Sequence, residues 1–463
     1  MKKTFMISGI VLVSLVILFF ISTNFIKSIS YFESDYFITT SNRIDSLNNI
    51  TETVKDSIHA GFAKVSITPE LHYSEDIYQE GKFIEVPLSG FGARKGKPAT
   101  GIHDSIFVTA AALNVDRQTV VFVTADLLIM PPNIIDSVTV LLKKEGIERE
   151  QLFFSATHTH SSLGGWGPGY IGEQFSGKEN VNIQKWIIMQ ISKAVTDAIN
   201  DLRPARIGSG SFAAGAYTRN RLIGESGTKN DDFNFIVIEQ IGHKKAIIGS
   251  YSAHTTTLGA GNMEISADYP GYWSRKVENT SSDYAMFFAG SMGSQSPVIG
   301  GEGFDRPKSL GEALADSLNL YLPQVTLNEK AELSYLSLKL ELPEYRMRIT
   351  RNLTFSSLIS NKMMKAPQNT YLQAIRINDM VWITTPADFS GEYALQIKNA
   401  LAVKGYNANV SSFNGCYVGY IIPGRYFYLD GYEPKTMGWF GPNMGEYTMD
   451  LIRKISDIVI SEI

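Results

Sequence analysis

Two histidines one residue apart, His158 and His160, sit in the run Ala156-Thr157-His158-Thr159-His160-Ser161, directly after the apolar stretch 152–156. In an extended segment residues i and i+2 share a face. The pair therefore points at one spot beside a strand's C-terminal end, where α/β proteins tend to bind ligands. Gly164-Gly165 then lets the chain turn away. Imidazoles placed like this suit a metal or a proton relay, and paired exposed histidines without metal are the alternative. A catalytic zinc needs about three protein ligands and an open position. His254 is a further candidate, since it ends the apolar run 246–251 and precedes Thr255-Thr256-Thr257. Taken singly it also reads as an ordinary hydrogen-bonded histidine.

The remaining four histidines, His59, His72, His103 and His243, stand alone. Cys416 is the only cysteine, so an intrachain disulfide and a thiolate-rich metal site are both excluded. Any metal must be held by His, carboxylate or Tyr. Gly-x-Ser-x-Gly is not present, so a conventional serine hydrolase is not supported.

The elements that must position these residues alternate. Residues 61–69 alternate as a strand and stop at Pro69; 106–115 and 119–125 read as a hairpin around Asp116-Arg117-Gln118. Pro131-Pro132 opens a helix to about 144, and 183–202 carries apolar residues at helical spacing. A second hairpin is expected over 235–241 and 246–252, a buried strand over 286–289, and a helix over 310–321. Strands follow over 331–342, 371–377 and 381–384, then a helix over 392–403. This order predicts an α/β fold of mixed β-sheets flanked by helices, rather than a purely parallel doubly wound sheet.

The 463 residues are 44% hydrophobic and 19% charged, a globular composition. The formal net charge of -4 and the lack of a basic stripe argue against nucleic acid as a partner. The N-terminus differs from the rest. Lys2 and Lys3 precede an apolar run from about 5 to 21, and a run of about 18–20 such residues spans a bilayer. The lysines favour the cytoplasmic side, which exports everything downstream. A cleaved signal peptide is the alternative, although Phe19-Phe20-Ile21-Ser22-Thr23-Asn24-Phe25 offers no clean Ala-x-Ala. The expected organisation is a signal-anchor over 1–27, a polar, partly helical spacer over 28–58 and a body over 59–463, on the periplasmic or extracellular side or secreted.

Several motifs, in order, resemble the neutral ceramidases across most of 60–450. That family reads Ala-Thr-His-Thr-His-Ser-Gly-Pro-Gly-Gly where this chain has Ala156-Thr157-His158-Thr159-His160-Ser161-Ser162-Leu163-Gly164-Gly165. Gly101-Ile102-His103, Asn220-Arg221, His254-Thr255-Thr256-Thr257 and Ile265-Ser266-Ala267-Asp268-Tyr269-Pro270-Gly271-Tyr272 are similar to further family segments, as are Phe413-Asn414-Gly415, Tyr432-Glu433 and Phe440-Gly441-Pro442. The resemblance implies a zinc amidohydrolase that cleaves ceramide, N-acylsphingosine, or a related N-acyl lipid to fatty acid and amine. It implies one Zn2+ per chain, held by His158, His254, a carboxylate in a Pro-Ala-Glu-Phe segment that here is Asp388, and a tyrosine that is Tyr420, with Tyr417 as rival. Such an ion lowers the pKa of bound water to about 7 and polarises a carbonyl. His160 is then the candidate proton shuttle, and Arg221 and Tyr432 the candidates for carbonyl or oxyanion contacts. Arg221 also reads as a structural ion pair. Ser296, in Gly293-Ser294-Gln295-Ser296-Pro297, is the candidate substrate-contacting hydroxyl, or a turn serine.

The chain departs from the family in places. Asp388 is one methylene shorter than Glu. Ser162-Leu163 replaces Gly-Pro, Ser294-Gln295 precedes Ser296, and Val298 replaces Asn. These changes are expected at the substrate mouth, and they motivate an alternative: a zinc hydrolase of another acyl amide or ester of the cell envelope. A non-catalytic surface binding protein is the lesser alternative. The extra C-terminal β-rich domain of larger members is expected to be missing.

Overall fold

The computed structural model describes residues 2–26 and 30–461. The side chains of Lys2 and Lys3, and the expected boundary between 27 and 28, lie outside the described residues.

The long strand Val54–Ser66 is the seam of the fold. Its first residues pair with Lys330–Lys339, its middle with Arg203–Ala213, and its greater part with Phe107–Val115. Pairing continues outward on each side into a twelve-stranded mixed sheet. Both expected hairpins form, over Phe107–Val115 with Gln118–Ala125 and Asp232–Gln240 with Lys245–Tyr251. Each further parallel partner returns through a helix, as such crossovers require.

Three apolar clusters fix the layers. One is made almost wholly of strand residues, with Phe122, Phe153, Phe288 and Trp382 meeting edge to face or tilted at 5.6–5.9 Å. Sheet therefore packs on sheet at the centre. A second covers one outer face under the helices Pro132–Lys143, Val181–Asn200, Asp268–Thr280 and Asp305–Tyr321. The third covers the other face under Gly391–Ala402 and Met444–Ile460. The expected mixed α/β class is correct, with helices on both outer faces.

Within the large sheet three strand pairs are parallel: Gln118–Ala125 with Leu152–Ala156, Lys245–Tyr251 with Tyr284–Ala289, and Met380–Thr384 with Asn407–Ser411. Their C-terminal ends are stitched together. Ser412 N–H donates to Ala289 O (2.9 Å), and the Ser155 hydroxyl donates to Ser412 O (2.9 Å). The Ser412 hydroxyl donates to Gly290 O (2.8 Å). The loops leaving this edge include 157–161, 252–258, 290–295, 385–390 and 412–420, which carry most of the residues singled out above.

The stretch expected as a polar, partly helical spacer does contain a helix. Asp35–Asn48 is a helix capped by Ser34, and it docks on the body. Ile44 enters the second helix-covered core, and the buried Thr40 hydroxyl accepts from Glu341 N–H (3.0 Å) and from the Tyr447 hydroxyl (2.9 Å). The sequence conceals this because only two residues of the helix are buried, so its periodicity is weak. If this helix belongs to the fold, Ile44→Ala will lower unfolding free energy by about 2–4 kcal/mol. A change near zero in denaturant titration would return the segment to the status of a tether.

Candidate functional site

His158 follows Leu152–Ala156 but does not continue it. Its φ is +62°, left-handed backbone that non-glycine residues seldom adopt. Strict alternation therefore fails at this position, although His158 and His160 still converge, their Nε2 atoms 3.3 Å apart. Phe413, Ser294 and Asp268 also have positive φ at loops around the same edge. Strain of this kind, of order 1–3 kcal/mol each, persists only where the surroundings over-determine it.

Those surroundings are visible. The His158 ring stacks on Phe413 at 4.3 Å, and its Nδ1 lies 2.6 Å from Leu128 O. A carbonyl only accepts, so Nδ1 carries the proton and Nε2 presents a lone pair. His254 repeats the arrangement with Nδ1 facing Met292 O at 3.4 Å. The two Nε2 atoms then face each other at 2.9 Å. Two acceptors that close repel unless a cation or a proton lies between them. Burial holds the His158 imidazolium down to about 3, so a proton is a poor occupant at neutral pH. Burial likewise lowers His254 and His160.

Asp388 completes the centre. Its Oδ1 is 3.6 Å from His158 Nε2, fully enclosed and without a hydrogen-bond partner among the described residues. Its Oδ2 accepts from the Tyr417 hydroxyl at 2.7 Å. Burial pushes this carboxyl up to about 7 against the lowering effects of Tyr417 and Arg221. Asp388–Phe389 pairs in parallel with Tyr420–Ile421, so the register sets Tyr420 beside Asp388. The Tyr420 oxygen lies 3.5 Å from His254 Nε2. Orphaned carboxylate, facing lone pairs and phenol make a donor set suited to a divalent cation of the zinc type. His158, His160 and His254 together form a group able to hold a metal ion.

Arg221 is half-buried. It donates from Nε to Glu433 (2.6 Å) and from a terminal nitrogen to the Tyr420 oxygen (2.8 Å). The ion pair expected as its structural role is therefore formed, beside the centre. Tyr432 stands at the rim, 48% exposed, with its ring edge-on to Tyr420 at 5.9 Å. Ser296 is elsewhere: it pairs with Arg219 on a short ladder and lies outside the cavity lining. Its neighbour Ser294 is closer to the centre, donating to Glu433 at 2.6 Å.

The centre forms one end of a cavity of about 820 Å³, lined by Phe91, Leu128, Ile129, Trp166, Ile171 and Phe175 among other apolar groups. The substitutions expected at its mouth do not lie there. Ser162, Leu163 and Gln295 are fully buried in the core, Leu163 bridged to Leu88 and Gln295 bonded to Asn230 and Ser252. Val298 is on the surface, 41% exposed and outside the lining.

Several supporting residues escaped the sequence reading. Arg94, buried without a carboxylate, donates to Ser89 O, His160 O and Gly259 O. Gly90 permits this approach, because a Cβ there would meet His160 atoms at 2.6–2.7 Å. The motif 265–272 proves to be a brace. Asp268 accepts from the Thr257 hydroxyl and from Leu258 N–H, and the Tyr269 hydroxyl donates to Ala253 O, so both flanks of His254 are held. The Thr255 hydroxyl donates to Thr157 O at 2.6 Å, tying the two histidine loops together. Glu433 and Asp268 lay inside quoted motifs, but a motif does not say which neighbour each residue grips.

A four-layer α/β protein with a buried imidazole–carboxylate centre at the floor of an apolar cavity is an arrangement suited to hydrolysing apolar substrates. Residues 75–303 match the family model described as neutral/alkaline non-lysosomal ceramidase, N-terminal. Over that segment, just under half of its length, the chain carries the family's sequence pattern, and it is an amide hydrolase. Among solved structures it is similar to a neutral ceramidase from Pseudomonas aeruginosa, with 17% identity and a TM-score of 0.72 over 87% of this chain and 74% of that one. It is also similar to a ceramidase complexed with C2, with 18% identity and a TM-score of 0.74 over 87% and 75% of the two chains.

The brace gives a test. Asp268→Ala leaves the Thr257 and Leu258 donors unsatisfied, at about 1–3 kcal/mol. It should also weaken metal-ion binding roughly ten- to a hundredfold, as loss of support to a ligand loop does. Calorimetric titration showing unchanged affinity would exclude the bracing role.

Proposed function

We propose that this chain hydrolyses the amide bond of ceramide or a related N-acyl lipid to a fatty acid and an amine. The observation that carries the reading is the junction of a deep apolar cavity with a buried set of cation ligands. An N-acyl chain matches the cavity, and its amide then reaches the polar end. His158, His254, Asp388 and Tyr420 are the proposed ligands of one Zn2+. Tyr417 is assigned to orienting Asp388, because its hydroxyl bonds the outer carboxylate oxygen. Bound zinc would supply an activated water and polarise the scissile carbonyl.

The chain's own groups do the rest. His160 has an unpartnered buried Nδ1 and an Nε2 at the centre, which suits it to carry a proton to the departing amine. Arg221 holds Tyr420 in place and puts positive charge beside the centre. Tyr432 faces the cavity with a free edge for the carbonyl or a substrate hydroxyl. Ser296 keeps the turn-serine role. The changes that motivated another envelope substrate lie in the core or on the surface rather than at the mouth, so the cavity itself favours the lipid. The N-terminal helix Lys2–Ser22, whose segment Thr4–Ser22 has mean hydropathy 2.8 and is wholly unburied, is proposed to anchor the protein and export its body.

Purified full chain should carry one zinc and release fatty acid from a fluorescent ceramide. A chelator should abolish turnover and zinc restore it. His158→Ala should lose both metal and activity, with turnover reduced by at least about a thousandfold. Undiminished turnover in that variant would refute the assignment.

A further inference from the structure

The N-terminal helix does not end in slack chain. Thr23–Phe25 pairs antiparallel with Leu353–Phe355 immediately after it. Ser356 N–H donates to Ser22 O (2.8 Å), and Ile26 N–H donates to Asn352 O (2.9 Å). A helix of this length and hydropathy spans about 30 Å of hydrocarbon. The strand it clamps therefore lies within about 10 Å of where it leaves the bilayer, three residues at strand rise.

That clamped strand leads straight to the cavity. The helix Ser357–Met363 follows it, and Met364, Ala366 and Pro367 line the mouth. The helix Gly169–Ser176 lies alongside, and Ile171 and Phe175 from it also line the cavity. The outward side of this rim is apolar: Leu358 is 72% exposed, Tyr170 67% and Phe25 59%. It is also basic. Residues 345–370 contain Arg346, Arg348, Arg351, Lys362 and Lys365 and no Asp or Glu. Arg348 is buried on carbonyls and Arg346 is paired with Glu344, whereas Arg351, Lys362 and Lys365 are exposed.

We infer that this rim docks on the surface of the bilayer the N-terminal helix enters, with Leu358, Tyr170 and Phe25 in the interface and the three basic residues on anionic headgroups. The strand pairing acts as a rigid clamp that sets the orientation of the mouth. An N-acyl lipid then passes from leaflet to cavity without crossing water. Apolar side chains and cations on one face are the combination that anionic interfaces attract, each cation adding about 1 kcal/mol. The inference rests on the anchoring and lipid-hydrolase readings above, and its docking part is measurable without turnover.

Full chain is reconstituted in vesicles of phosphatidylcholine with and without phosphatidylglycerol. A Leu358→Cys variant is labelled with an environment-sensitive dye, the native Cys416 being buried. The label should shift to the blue in the anionic vesicles. The shift should be lost in Lys362→Glu, and also when about eight Gly/Ser residues, some 15 Å of slack, are inserted between Ser22 and Thr23. No blue shift, or a shift indifferent to both changes, overturns the docking. In the same vesicles Leu358→Asp with Lys362→Glu should slow hydrolysis of embedded ceramide about tenfold and leave a water-soluble short-chain amide within about twofold. Equal loss on both substrates, or on neither, overturns direct loading. Docking without any amide turnover would instead sink the hydrolase reading and leave the clamp standing.

Discussion

Two imidazole lone pairs aimed at each other across 2.9 Å are the constraint on which this structure turns. Burial disfavours a proton on either ring, and with both Nδ1 atoms facing carbonyls the lone pairs are left at Nε2. An enclosed carboxylate oxygen without a partner stands beside them. Each of these groups is costly by itself in a dry interior. Together they are the proposed cation site, and a cation there would satisfy all three at once. The strained backbone at His158, the Phe413 stack and the two carbonyl acceptors serve to hold that geometry in place.

The fold supplies what the site needs through the direction of its strands. Three parallel pairs deliver their C-terminal ends to one edge, and the loops leaving it carry His158, His254, Asp388 and Tyr420. Hydrogen bonds then lock loop to loop, from Thr255 to Thr157 and from the 265–272 segment to both flanks of His254. Precision at the centre thus comes from a network of buried hydrogen bonds that ties these loops together. The sheet-on-sheet core behind it gives these loops a stiff base.

Much of this was legible in the sequence for physical reasons. Long apolar runs with punctuating Gly, Pro or Asp, such as 107–125 and 235–251, announce hairpins because local pattern dictates them. The histidine pair stood out because such pairs are rare and follow a buried strand. What was not legible depended on contacts far apart in the chain. The helix Asp35–Asn48 buries only Thr40 and Ile44, so its helical period is faint. Motif order alone does not reveal that Ser296 pairs with Arg219 outside the cavity lining, while Ser294 reaches Glu433. Ser162 and Leu163 looked like mouth residues because they follow His160, yet the chain dives into the core at once.

The division of labour between the two tyrosines follows from the same geometry. Tyr417 and Tyr420 are three residues apart, and both phenols reach the centre. Only Tyr420 sits in register with Asp388 across paired strands, and Arg221 donates to its oxygen. A guanidinium donating to a phenol oxygen leaves the phenol's other lone pair and its proton for the centre, and it favours the phenolate that a cation also favours. Tyr417 instead donates its proton to the carboxylate, which shares the negative charge away from Oδ1 and fixes the plane of the group. The direct pairing of Asp388–Phe389 with Tyr420–Ile421 fixes the short Asp388 side chain in register with Tyr420 at the centre.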